Sequence, residues 1–255
     1  MECGISTACF FPMETEQALL EISLSEVKGV EVFLNTFREL EPEYLSRLKS
    51  IVKKSDMHVL AVHPFTSMME SFFFASSYGT RFEDGVALYR RYFEACRILE
   101  APILVFHGDY KNTAYPFEAY CKNYSALQCV GKEYGVALCQ ENVVRCKCGF
   151  WEQIRRMREL TDDRAEFVLD LKQARRAENH VDALLDAMKG KIRHAHLSDF
   201  DLDCDCLPPG EGQEAWALLL PRLKREACSM VVELYRDGFQ TKQQLVNAVS
   251  FIESY

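Results

Sequence analysis

With 255 residues, 48% hydrophobic side chains and 12% aromatics, the chain can build one full core, and this length suits a single α/β barrel better than two small domains. The formal charge of −8, from 38 acids against 30 bases with no block of like charge, leaves no footprint for a polyanion and argues against a nucleic-acid partner. Met1-Glu2-Cys3-Gly4-Ile5 lacks a basic leader, no stretch approaches the roughly 18 uncharged residues of a membrane span, and the 11 cysteines are scattered as reduced thiols would be; a cytoplasmic protein without membrane contact is expected.

Taken in chain order, short β-branched runs alternate with amphipathic stretches of helical length. Strands are predicted at 3–9, 30–34, 58–63, 103–107, 136–141, 166–170, 192–197 and 230–234. Helices are predicted at 14–26, 42–54, 83–99, 116–133, 151–160, 181–188, 214–226 and 241–253. The third is the clearest, because Val86, Tyr89, Tyr92, Phe93, Cys96 and Leu99 recur at three- and four-residue steps. About eight β/α units mean a (β/α)₈ barrel spanning 1–255. A doubly wound open sheet would alternate similarly, but would place a Gly-rich turn after its first strand. That turn here reads Phe10-Phe11-Pro12-Met13.

In such a barrel, chemistry sits where strands run out into the following loops. Several apolar strands end in polar residues: His63, His107, Glu141, Asp170, His196 with Ser198 and Asp199, and Glu233. Singly, each is an ordinary structural histidine or a helix-capping carboxylate. Together they would gather several negative charges in a partly desolvated bowl, which is costly without a cation. One divalent ion is therefore expected. An oxygen-rich donor set favours manganese, magnesium or cobalt, with zinc as a further candidate.

The order His63, His107, Glu141, Asp170, His196-Leu197-Ser198-Asp199, Gly210-Glu211-Gly212 and Glu233 resembles the xylose-isomerase-like barrel superfamily of sugar phosphate isomerases and epimerases, which also contains endonuclease IV. The resemblance spans nearly the whole chain. It implies that Glu141, Asp170, His196 and Glu233 hold the metal, with Glu141 and Glu233 also carrying protons. It further implies that His63, His107, Lys172, Gln173 and Arg236 meet a small sugar or sugar phosphate. The chemistry expected is isomerisation or epimerisation through an enediolate stabilised by the ion. An endonuclease IV-like phosphodiesterase and a non-catalytic sugar-binding barrel are the alternatives.

Some features depart from that pattern. Asp170-Leu171-Lys172-Gln173 has glutamine where relatives often carry histidine, and Asp203-Cys204-Asp205-Cys206 lacks the Asp-x-His pair of the nuclease. An arginine after the strand-seven motif is not evident. Cys146-Lys147-Cys148 and Cys204-Asp205-Cys206 have a one-residue gap, poorer for zinc chelation than Cys-x-x-Cys, so free loop thiols are expected, with a zinc or redox role on the catalytic-face loops as the alternative. Lys172, Arg193 and Arg236 stand near strand ends, in reach of a substrate phosphate on this reading. Self-association into a homo-oligomer is left open.

Overall fold

A computed structural model describes residues 2–178 and 180–255, except the side chain of Arg236. Eight parallel strands, β1 (Cys3–Ser6), β2 (Gly29–Leu34), β3 (His58–Pro64), β4 (Ile103–Phe106), β5 (Ala137–Glu141), β6 (Glu166–Asp170), β7 (Ile192–Leu197) and β8 (Ser229–Val232), pair in sequence order. β8 closes on β1 through the pairs Cys3–Met230, Gly4–Val231 and Ile5–Val232. The expected (β/α)₈ barrel is what the chain forms.

The helices are α1 (Thr15–Ser23), α2 (Pro42–Lys54), α3 (Glu70–Phe74), α4 (Gly79–Leu99), α5 (Phe117–Glu133), α6 (Trp151–Leu160), α7 (Leu171–Arg176), α8 (Val181–Met188), α9 (Trp216–Glu226) and α10 (Lys242–Glu253). Two differences from expectation matter. The first strand is shorter than 3–9, because Thr7–Phe10 turns into a 3-10 helix capped by the Ser6 hydroxyl, which accepts from Ala8 N–H. A short helix, α7, also starts directly at the end of β6, where Asp170 caps it by accepting from Gln173 N–H at 2.8 Å. No described helix is long and apolar enough to cross a membrane.

Period-two alternation divides each strand between two cores. Outward residues such as Leu104, Phe106, Leu138, Phe167 and Leu169 join the large layer between barrel and helices. Ala61, Ile103, Val105, Cys139 and Val168 form a separate apolar plug inside the barrel. Two residues beyond Val105, Cys139 and Val168, on the same inner face, stand His107, Glu141 and Asp170. The plug thus becomes the floor of a polar bowl at the C-terminal mouth.

Candidate functional site

Four neighbouring strands deliver the central side chains. Glu141 ends β5, Asp170 ends β6, His196 is the next-to-last residue of β7, and Glu233 follows β8. Nδ1 of His196 lies 3.5 Å from Glu141 Oε1, 3.6 Å from Asp170 Oδ2 and 3.5 Å from Glu233 Oε2. Glu141, Asp170 and His196 are buried, and the Glu233 side chain is 11% exposed. His196 Nδ1 and Asp170 Oδ2 have no hydrogen-bond partner. An unpartnered buried polar atom costs about 1–3 kcal/mol, more when charged, so a partner shared by these two would be stabilising. Donor atoms about 2.1 Å from one ion lie roughly 3.0–3.5 Å apart, close to the separations here. Glu141, Asp170 and His196 could hold a metal ion.

Asp170 shows how one residue meets two demands. Its Oδ1 caps α7, while Oδ2 is the unpartnered atom in the bowl. The side chain of Asn142 locks its backbone in place, accepting from Asp170 N–H at 2.7 Å and donating to Asp170 O at 2.9 Å.

Charge points the same way. Burial works to raise the carboxyl of Glu141, yet the imidazoles of His107, His196 and His63 hold it well below the usual range. Burial opposes ionisation of Glu233 too, and Lys172 and His196 bring it down. Lys172 is itself buried, with Nζ 3.0 Å from Glu233 Oε2 and 3.7 Å from Asp170 Oδ2, over the Tyr235 ring at 4.4 Å. Lys172 thus brings one positive charge into a cluster of carboxylates.

His63 and His107 reach the same carboxylate from β3 and the loop after β4. His107 Nε2 is 2.8 Å from Glu141 Oε2 and 3.0 Å from His63 Nε2, and its Nδ1 accepts from Arg145 at 3.1 Å. That donation assigns the remaining proton to Nε2, facing Glu141. Burial lowers the basicity of His107. A cavity of about 290 Å³ lies above these groups, at the small end of ligand pockets. Ala8, Phe11, Phe33, Leu234 and Tyr235 give it an apolar wall, and His63, His107, Glu141, Arg145, Asp170, Lys172, Gln173 and Glu233 line the rest.

Other expectations are revised. Lys172 is turned inward to Glu233 as its counter-charge and also lines the cavity. Arg193 is the second residue of β7, at the opposite end of the barrel, and pairs with Glu166 at 2.5 Å. Gln173 Oε1 accepts from Val144 N–H at 3.1 Å, bracing the loop after β5. The Arg236 side chain lies outside the described residues. Neither Cys-x-Cys pair joins a metal-ready group among the described residues, and Cys146, Cys148 and Cys206 are buried free thiols.

Asp199 and Gly210-Glu211-Gly212 serve architecture. Asp199 accepts from Phe200, Gly210 and Glu214 N–H and from Trp216 Nε1–H. A Cβ on Gly212 would sit 2.4 Å from Asp199 Oδ1, so only glycine lets the loop wrap this carboxylate. Beneath the same loop runs Arg175 from α7, bonded to Ser198 and Asp205 carbonyls and to Glu214, an arginine the strand-seven motif did not reveal.

Glu31 is the main residue that strand-end reasoning passes over. It is fully buried within β2, with Oε2 3.0 Å from His196 Nε2 and Oε1 accepting from the Ser6 hydroxyl at 2.8 Å. Its only signal is a lone acid inside the apolar run Val30-Glu31-Val32.

Residues 22–255 match the family model described as xylose isomerase-like TIM barrel. The chain belongs to this family. Among solved structures of similar fold is a D-tagatose 3-epimerase-like protein, at TM-score 0.79 and 17% identity, covering 100% of this chain and 97% of that one. The 3-keto-D-glucoside 4-epimerase of E. coli aligns at TM-score 0.78 and 15% identity, covering 100% of both. An IolI protein with a bound zinc atom aligns at TM-score 0.75 and 18% identity, covering 100% of this chain and 96% of that one. Comparison with curated proteins found no match.

Proposed function

We propose that the protein is a divalent-metal-dependent sugar or sugar phosphate isomerase or epimerase, with Glu141, Asp170, His196 and Glu233 holding the ion. The reading is carried by the cluster of Glu141, Asp170, His196 and Glu233, in which His196 Nδ1 and Asp170 Oδ2 lack hydrogen-bond partners. Similarity to barrels named as sugar epimerases supports it. When bound, the ion supplies Lewis acidity toward a carbonyl and its neighbouring hydroxyl, for which manganese, magnesium or cobalt suit the oxygen-rich donors and zinc is a further candidate.

The chain's own residues do the rest. Glu141 Oε1 and Glu233 Oε2 each lie 3.5 Å from His196 Nδ1, one to remove the proton next to the carbonyl and the other to return it. Return on the opposite face epimerises, and transfer between carbons isomerises. His63, His107 and Gln173 offer hydrogen bonds to hydroxyls, while Phe11, Phe33 and Tyr235 give an apolar wall for the C–H face of a compact ligand. Lys172 serves as the internal counter-charge of Glu233. The nuclease alternative is disfavoured by this ammonium, which holds ground that further cations would need, and by the net charge of −8.

The test is incubation with manganese, D₂O and a panel of ketoses, polyols and their phosphates. Deuterium entering one carbon identifies substrate and chemistry together. No exchange into any member, with the compounds bound, would leave a sugar-binding barrel instead.

A further inference from the structure

One layer below the bowl, Glu31 sits where an ionised carboxylate is expensive, and its surroundings show what it is retained for. Its oxygens are divided between tasks. Oε1 accepts from the Ser6 hydroxyl, and Oε2 lies 3.0 Å from His196 Nε2 and 3.4 Å from His194 Nε2. His194 is tethered in turn by Nδ1 to the Ser229 hydroxyl at 2.7 Å, and its ring stands edge-on to His196 with centroids 5.2 Å apart. The His196 ring is therefore gripped from below and from the side.

His196 thus meets carboxylates at both nitrogens, and only one contact is a hydrogen bond. Nε2 bonds to Glu31, while Nδ1 faces Glu141, Asp170 and Glu233 without a partner. A neutral imidazole carries one proton; placed on Nε2 and given to Glu31, it leaves the lone pair on Nδ1. Glu31, His194 and His196 are close enough to hold an ion themselves. Against that use, both oxygens of Glu31 already serve hydrogen-bond partners.

We propose that Glu31 is a positioning residue that accepts the Nε2–H of His196 and fixes the ring and tautomer that present Nδ1 to a divalent ion. Carboxylate partners of this kind orient a ligating histidine and raise its basicity, and their loss typically costs 10–100-fold in metal affinity. The inference rests on the metal site proposed above.

Its test is zinc and manganese affinity of the whole protein, by competition with a chromophoric chelator, in wild type, Glu31→Gln, Glu31→Ala and Leu223→Ala. Leu223 lies in the outer core on α9 and controls for general destabilisation. Glu31→Ala should bind zinc about 10–100-fold more weakly. Glu31→Gln, which keeps an acceptor oxygen but no charge, should fall between. Leu223→Ala should melt lower yet bind as wild type. In zinc-loaded wild type carrying ¹⁵N-histidine, His196 should coordinate through Nδ1 and bear its proton on Nε2, with that proton signal shifted in Glu31→Gln. Unchanged affinity in the Glu31 variants, equal loss in Leu223→Ala, or coordination through Nε2 would overturn the positioning role and leave the metal site standing. A wild-type protein that binds neither ion would overturn both. If Glu31→Ala does not fold, Glu31→Gln and the tautomer decide.

Discussion

Replacing Lys172 by Met should destabilise the metal-free protein far more than the metal-loaded one. Methionine keeps much of the volume, so the change removes chiefly charge. In the fold that ammonium lies 3.0 Å from Glu233 and 3.7 Å from Asp170, with a side chain 3% exposed. Removing one partner of a buried pair typically costs about 3–5 kcal/mol, because the remaining charge stays buried. For a domain near this length, 1 kcal/mol moves the melting temperature by about 2–4 °C, so chelator-treated Lys172→Met should melt roughly 6–20 °C below wild type. Excess manganese should close most of the gap, since an ion among Glu141, Asp170 and Glu233 replaces the lost positive charge. Scanning calorimetry at pH 7 with and without chelator measures both differences. A chelated variant within about 2 °C of wild type, or a gap that manganese leaves unchanged, would refute the electrostatic account of the bowl.

Four further outcomes are expected. Metal analysis should find close to one tightly held divalent ion per chain, and Asp170→Ala or His196→Ala should empty the site; full occupancy in both would remove the ligand assignment. Glu141→Gln and Glu233→Gln should keep most metal binding yet lose about 10²–10⁴-fold in turnover, with one variant still exchanging the substrate proton from a single face; wild-type rates in both would exclude the two-base chemistry. Glu70, wholly buried against Tyr89 and the Gly108 N–H, has its carboxyl pushed up to about 8 by burial. A folded value above the unfolded one adds stability that is full below about pH 4.5 and is lost as pH rises through about 8, up to roughly 5 kcal/mol. Denaturant midpoints across that window should therefore fall less steeply in Glu70→Gln, and identical slopes would contradict the assignment. Incubation with abasic duplex DNA at physiological salt should show neither nicking nor retention, and salt-sensitive binding with cleavage would promote the nuclease alternative.

The alternation of apolar runs with amphipathic helices was enough to read the barrel from the chain, because period-two and period-3.6 burial are local properties of strands and helices. The same periodicity exposed Glu141, Asp170, His196 and Glu233, each a polar residue closing an apolar strand. What lies across the barrel has no such signature. Glu31 is separated by 165 residues from the His196 nitrogen it contacts, and only closure of β2 and β7 into one barrel brings them together. For Lys172 the sequence offered a place near a strand end in reach of a substrate phosphate, but not its ion pair with Glu233, which depends on α7 starting one residue after β6. Asp199 and Gly210-Glu211-Gly212 stood among site-like motifs, yet a carboxylate with four donors around it is a loop staple. Sequence alone located the eight strands and the polar residues near their C-terminal ends, since burial periodicity is written along the chain; tertiary structure decided where several strands stop and which charges meet, since pairing depends on distances that only barrel closure sets.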